Sequence, residues 1–325
     1  MTMERQIAIL MVFNLIQNTA GFLPTKCTAD RDVITCFNQT YITPKSFPPS
    51  MVELRLAHST ITNIQGGFLH TLTRVAPGLK TIIINSSAIK YMHACSFSTV
   101  SNLSQILVQD SSVKEIVQNA FSDLKSIQKI EFINVRIEEI SKLAFHGVQG
   151  IGLFKMDNLT VQNMSYASFA ELEDVNVLQL TNSYIQLTES QPIVNHKSVS
   201  SLVITGNTFK STLCGFNILQ PGLVFTNNNL TCNTEMAANL SSIRNNRCLW
   251  NVKDVCPELK DTSIVKHSYD CRAITLDEGI QPVSQNEILD IEDSEGPRSC
   301  GLSSLCTLNI SSLLIMYSVL ISFLA

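Results

Sequence analysis

Three stretches, Gln105–Ile116 (QILVQDSSVKEI), Lys129–Ile140 (KIEFINVRIEEI) and Leu153–Met164 (LFKMDNLTVQNM), superimpose at a spacing of 24 residues. With Val108, Phe132 and Met156 as anchors, the pattern reaches back to Ile84 and Leu56 and forward to Leu180, Ile204 and Phe225. The steps are 28, 24, 24, 24, 24, 24 and 21 residues. Two residues before the anchors stand Leu54, Ile82, Ile106, Ile130, Phe154, Leu178, Leu202 and Leu223; five residues after them stand Ile61, Ile89, Val113, Ile137, Val161, Ile185, Phe209 and Leu230. All 24 positions are apolar in a chain that is 45% hydrophobic, so composition does not produce the register. Phe97, Phe121, Phe145 and Phe169 repeat the spacing in a second register, each preceded by Ser or Ala. An apolar-x-apolar segment is a short strand with alternate side chains turned inward and outward. One such unit cannot bury its apolar edge alone, so stacked units share a continuous core.

The motif L-x-L-x-x-(N/S)-x-I-x-x-I-x-x-x-x-F-x-x-L resembles the leucine-rich repeat, over about residues 52–230. The resemblance implies an α/β, β-rich solenoid: a horseshoe of about seven to eight repeats of ~24 residues, closed by N- and C-terminal disulfide caps. It specifies a fold and says little of function. Three residues after each anchor, where the family carries Asn, the column reads Ser59, Ser87, Ser111, Val135, Leu159, Ser183, Asn207 and Asn228. Serine reproduces part of the backbone bonding that Asn supplies; Val135 and Leu159 reproduce none. The corners of rows four and five are therefore expected to be looser, or to lean on water. The long first step predicts a bulge around Thr73–Gly78. In rows six and seven Thr188 and Thr212 replace the second Ile and the Phe column lapses, which leaves that side of the coil open to question.

Outward-pointing positions of the first strands define a concave face. Its centre column is Arg55, Ile83, Leu107, Glu131, Lys155, Gln179 and Val203, flanked by Gln109, Ile133, Leu153 and Asp157 among others. Interspersed aliphatic and charged groups suit a protein-binding surface, although β-propensity alone also favours Val and Ile on any strand. N-glycosylation sequons stand at Asn38, Asn85, Asn102, Asn158, Asn163, Asn229 and Asn239, with one more at Asn309.

Cys27 and Cys36 close a short loop before row one and are expected to pair as an N-terminal cap. After the repeats, Cys232, Cys248, Cys256 and Cys271 surround the lone Trp250. They resemble the C-terminal cap of extracellular leucine-rich-repeat proteins, without the usual C-x-C opening. Four cysteines allow three connectivities; the resemblance implies Cys232–Cys256 and Cys248–Cys271. Cys95 and Cys214 stand about five rows, or roughly 24 Å, apart, beyond mutual reach. Both are expected as buried thiols, or Cys214 as a partner within the cap.

The first 21 residues carry Arg5, the apolar run Ile7–Leu15 and small residues at Thr19, Ala20 and Gly21, the pattern of a secretory signal. Asp277, Glu278, Glu287, Asp290, Glu292, Asp293 and Glu295 face a single Arg298, which predicts a flexible acidic stalk. Leu313–Ala325 is uncharged, and small residues and a polar spacer precede it, as in a glycosylphosphatidylinositol (GPI) attachment signal. Ser299 is the first choice for attachment, with Ser303 and Ser304 as alternatives; a retained span from Leu305 is the competing reading. The layout is a signal peptide at 1–21, an N-terminal cap at 22–50, repeats at 51–230, a C-terminal cap at 231–275, a stalk at 276–299 and an attachment propeptide at 300–325.

Net charge is −4 with 15% charged residues, which supplies no basic field for nucleic acid. Neither G-x-S-x-G, H-E-x-x-H nor a phosphate-cradling glycine loop is present. The carboxylates of the stalk lack calcium-loop spacing. His93 and Cys95 sit in a tight repeat turn. No enzyme activity, cofactor or metal is expected. The chain resembles GPI-anchored leucine-rich-repeat cell-surface proteins, which implies a glycoprotein on the outer leaflet of the plasma membrane, or one shed from it. Its concave face would bind an extracellular or cell-surface protein, as a co-receptor beside a transmembrane signalling protein, in ligand capture or in adhesion. The alternative is a secreted protein that organises the extracellular matrix.

Overall fold

The computed structural model describes residues 23–101, 103–188, 192–194, 198–212, 222–232 and 245–251, all within the compact unit Met1–Asp277. The signal, stalk and attachment segments, with Ser299, lie outside the described residues, as do Cys214, Cys256 and Cys271.

Each repeat folds as two short strands joined by a corner. The first strands of rows one to eight are Glu53–Ala57, Thr81–Asn85, Gln105–Gln109, Lys129–Ile133, Leu153–Asp157, Val175–Thr181, Val199–Thr205 and Leu223–Thr226. Behind the antiparallel hairpin Cys27–Asp30 and Val33–Phe37, they form a ten-stranded sheet that is parallel from Val33–Phe37 onward. The second strands are Thr60–Ile64, Ala88–Met92, Ser112–Ile116, Arg136–Ile140, Thr160–Met164, Tyr184–Thr188, Thr208–Thr212 and Asn229–Cys232. With Arg247–Asn251 they form a nine-stranded parallel sheet. Phe145–His146, Phe169–Ala170 and Ile193–Val194 make a third, three-stranded one. The result is a parallel β-solenoid of about eight turns, with one α-helix among the described residues.

The helix, Phe68–Val75, absorbs the four extra residues of the first step, where the sequence predicts only a bulge. Phe68, Leu69 and Leu72 are buried on one side, while His70, Thr71 and Arg74 point outward. Of the 24 periodic positions, all but Leu180 and Leu223 are buried. The Phe column is a stack: ring centroids lie 4.6 Å apart between Phe97 and Phe121, 5.0 Å between Phe121 and Phe145, and 4.8 Å between Phe145 and Phe169. Phe68 adds an edge-to-face ring at 5.8 Å from Phe97, out of register because of the helix. At the other end Ile193 stands opposite Phe169. There the core holds an apolar cavity of about 30 Å³ lined by Met156, Met164, Leu180, Ile193 and Phe209. A cavity without polar partners stays dry.

The corners are held by side chains that link successive rows. Backbone N–H groups of Ser59 and Ser87 donate to Ser87 Oγ and Ser111 Oγ of the next row, both at 3.1 Å. The ladder resumes with Leu159 N–H to Ser183 Oγ (3.0 Å), then Ser183, Asn207 and Asn228 N–H to Asn207, Asn228 and Asn246 Oδ1 (each 2.9 Å). Val135 and Leu159 offer no acceptor, so this ladder breaks between rows three and five. These corners are not the loose ones expected. Val135 and Leu159 are 1% and 2% exposed, and an outer set of bonds spans the same rows. Asn134 Nδ2 donates to Asp110 Oδ1 at 2.7 Å, and Asn158 Nδ2 to Asn134 Oδ1 at 3.2 Å. Asp110, Asn134, Asn158 and Asn182 all adopt left-handed φ between 48° and 54°, a conformation for which Asn and Asp are suited.

The cysteines follow a different plan from the one implied by resemblance. Cys27–Cys36 pairs as expected, across directly opposed residues of the N-terminal hairpin. In the C-terminal cap, however, Cys232 pairs with Cys248, replacing Cys232–Cys256 and Cys248–Cys271. Residues 245–251 repeat the corner-and-strand unit once more and lay Arg247–Asn251 beside Asn229–Cys232, which puts the two Cα atoms 5.6 Å apart. Cys95 is not a free thiol: it is fully buried and disulfide-bonded, to a partner outside the described residues.

Candidate binding face

Strand alternation and register build this face. Arg55, Ile83, Leu107, Glu131, Lys155, Gln179 and Val203 are direct cross-strand partners in that order, so the expected centre column is continuous. It extends one row further, to Val224, which is 46% exposed. Val224 was missing from the expected column although the signal was available: it stands between Leu223 and the anchor Phe225, as Val203 does between Leu202 and Ile204. Gln109, Ile133 and Asp157 form one flanking column, and Leu153 stands between Lys129 and Val177 in the other.

Arg55, Glu131, Lys155 and Asp157 are already engaged with neighbouring side chains. Arg55 pairs with Glu53 on its own strand, and Lys155 Nζ lies 3.1 Å from Asp157 Oδ2. Gln105 Nε2 donates to Glu131 Oε2 at 2.6 Å. Asp157 also accepts from Thr181 Oγ1 at 2.7 Å and from Asn182 Nδ2 at 2.9 Å. Partial burial pushes the Asp157 carboxyl up, but the bonds from Thr181, Asn182 and Lys155, with the Lys155 charge, outweigh it and hold it below the ordinary value of 3.8. It stays an anion on a half-buried surface. The aliphatic side chains Ile83, Leu107, Ile133, Leu153, Val177 and Val203 are half-exposed beside these paired charges.

Among the sequons, Asn85 lies on this face, between Ala57 and Gln109, and is half-buried. Asn38 and Asn158 are exposed at left-handed corners. Asn163 and Asn229 belong to the second sheet, in rows five and eight. Asn102 and Asn239 lie outside the described residues.

Two further features among the described residues are His93 and Cys95. The His93 ring meets Asn63 Oδ1 at 3.0 Å, and burial lowers its pKa against the opposing pull of Glu115. The disulfide at Cys95 removes the His93–Cys95 pair as a nucleophile. Among the described residues no group of three His, Cys, Asp or Glu is placed to hold a metal ion. No helix among them is long and apolar enough to cross a membrane.

The register, the stacked Phe column and the corner ladder define a leucine-rich-repeat solenoid protein. Residues 75–192 match the model of the BspA type leucine rich repeat region, in six copies. No curated protein matches the chain. Among solved structures, human 5T4 (Wnt-activated inhibitory factor 1, trophoblast glycoprotein) is similar at a TM-score of 0.40 and 14% identity, over 70% of this chain and 89% of that one. TLR13 in complex with ssRNA13 is similar at a TM-score of 0.22 and 10% identity, over 61% of this chain and 42% of that one. Neither likeness bears on what this chain binds.

Proposed function

We propose that the outer face of the first sheet binds an extracellular or cell-surface protein, and that the chain is a secreted glycoprotein held at the cell surface by a GPI anchor at Ser299. One observation carries the binding reading. An unbroken column of eight strands, about 34–38 Å long, presents half-exposed aliphatics beside the Lys155–Asp157 ion pair and the Glu131 carboxylate, which Gln105 hydrogen-bonds. A partner desolvates Leu107, Ile133, Leu153, Val177 and Val203, while Glu131 and the exposed Lys129 offer charges that fix its register. A sugar on Asn85 would crowd row two and direct the partner to rows three to eight. Anchored in this way, the protein acts as a co-receptor beside a transmembrane signalling protein, in ligand capture, or in adhesion.

The anchor is tested by treating intact expressing cells with phosphatidylinositol-specific phospholipase C. Release from the surface supports it; retention with Leu313–Ala325 present in C-terminal mass spectra overturns it in favour of a span. Appearance only in the medium favours the matrix-organising alternative. For the face, Leu107→Asp with Lys155→Glu is expected to abolish binding to partner-expressing cells while secretion is normal. Wild-type binding by the double variant moves the site off this sheet.

A further inference from the structure

The second sheet carries its own outer face, and charge there is segregated in a way the net charge conceals. Lys90, Lys114 and Arg136 line one groove of about 280 Å³ in rows two to four. The groove exists because small side chains, Thr60, Ala88 and Ser112, occupy the same column of adjacent strands until Arg136 closes it. The three cations are exposed, and among the described residues none of them makes an ion pair. Tyr91 gathers two of them: the Lys90 and Lys114 ammonium groups lie 5.1 and 5.4 Å from its ring centroid, and Lys114 Nζ donates to its hydroxyl at 3.3 Å. Like charges on neighbouring strands repel; Glu138, beside Lys114 on the next strand, offsets one of the three charges, and the groove keeps a net demand for an anion. The sequons of this sheet, at Asn163 and Asn229, fall in rows five and eight, away from the three cations, while Asn38 precedes Gln39 and Thr40, which edge Thr60 and Thr62 at the row-one end.

We propose that this groove binds a sulfated, hydroxyl-rich linear oligosaccharide through Lys90, Lys114 and Arg136. The walls choose the class. They offer cations and the hydroxyls of Thr60, Thr62 and Ser112, without a large exposed aliphatic of the kind that anchors a protein partner. Ammonium groups meet sulfates as point charges, and the guanidinium adds a fork of two parallel bonds. Three rows at ~4.8 Å give a cationic strip about 10 Å long, in which Glu138 continues the Lys90–Lys114 column and Arg136 stands in the column of Ser112. The inference draws on the extracellular reading only for the presence of such a ligand. The binding test is made in solution and stands apart from the anchor and the first-sheet face.

The test titrates the full-length glycoprotein, purified from cells, with a fluorescent heparin-derived hexasaccharide. Exposed ion pairs each contribute a few-fold, so Lys90→Ala with Lys114→Ala and Arg136→Ala is expected to weaken binding about tenfold or more. Affinity is expected to fall as salt rises, Glu138→Gln to tighten binding, and the desulfated hexasaccharide not to compete. Three results overturn the proposal: no binding by the wild type, equal binding by the triple variant, or tighter binding of an acidic peptide than of the sulfated sugar. The double variant of the first sheet, Leu107→Asp with Lys155→Glu, is expected to bind the hexasaccharide normally.

Discussion

Rows two to five and rows six to seven share one strand register and differ in how the turn behind the strands is filled. In the first group Phe97, Phe121, Phe145 and Phe169 stack at ring separations of 4.6–5.0 Å. In the second, Ile193 takes the Phe position, Thr188 replaces an aliphatic and leaves its buried hydroxyl unpaired, and a dry cavity opens. The first strands continue through both groups without a change of register, whereas the second strand of row seven shifts against row eight between Phe209 and Thr212. Pairing in the first sheet thus propagates on its own, while packing quality is set row by row, as expected of a quasi-one-dimensional solenoid.

Four measurements bear on that contrast. The largest effect is expected from Phe121→Ala, which should cost about 3–5 kcal/mol in chemical denaturation, whereas Ile193→Ala, half-buried beside an existing void, should cost less than half as much. Equal costs would dissolve the distinction between the two groups. Next are the corners. Asn207→Ala strips the acceptor from a buried N–H and should cost about 1–3 kcal/mol, while Asn134→Gly keeps the left-handed corner, loses only exposed bonds and should cost about 1 kcal/mol or less. Ile193→Phe should stabilise by up to about 1 kcal/mol by extending the stack into the cavity; a net loss would mean that the void has the wrong shape for a ring.

The smallest effect concerns His93. Its folded pKa lies below the ordinary 6.5, so the unfolded chain takes up the proton first as pH falls. The stability it contributes is present above about 6.5 and is lost as pH drops through the lower, folded value. Melting curves between pH 7.5 and 5.5 should therefore fall less steeply for His93→Gln than for the wild type.

The solenoid was legible because a core shared between rows forces the same residue class into the same column, and a period of 24 makes that visible. The candidate face was legible for the same reason, since strand alternation fixes which residues turn outward. What pairs with what across rows was not. The engagement of Lys155 with Asp157 and of Gln105 with Glu131 depends on rotamers that the pattern does not encode. The helix Phe68–Val75 was missed because Phe68 is out of step with the Phe column, although Phe68, Leu69 and Leu72 mark a helical face. In the C-terminal cap, family resemblance misled on Cys232. The better guide was Asn245–Asn246, which repeats Asn227–Asn228 and announces one further corner. The break at Val135 and Leu159 was visible, but not the outer Asp110–Asn134–Asn158 bonds that compensate for it.

The inner corner ladder has a direction. Each backbone N–H reaches for an oxygen carried by the following row, so a corner is finished only after the next row has been made. A backbone donor one residue earlier does the same, as in Asn182 N–H to Thr205 O, so during synthesis from the N-terminus such a row waits with two donors unanswered. The interruption at Val135 removes the side-chain half of this dependence, while Asp110 N–H still reaches Ile133 O of row four at 3.0 Å. The inner ladder of rows one to three ends at Ser111, and a second block begins at Leu159 and ends on Asn246. A nascent chain halted after row three therefore forgoes one corner bond, whereas one halted at row six forgoes two. Ribosome-stalled intermediates should resist proteolysis in that order.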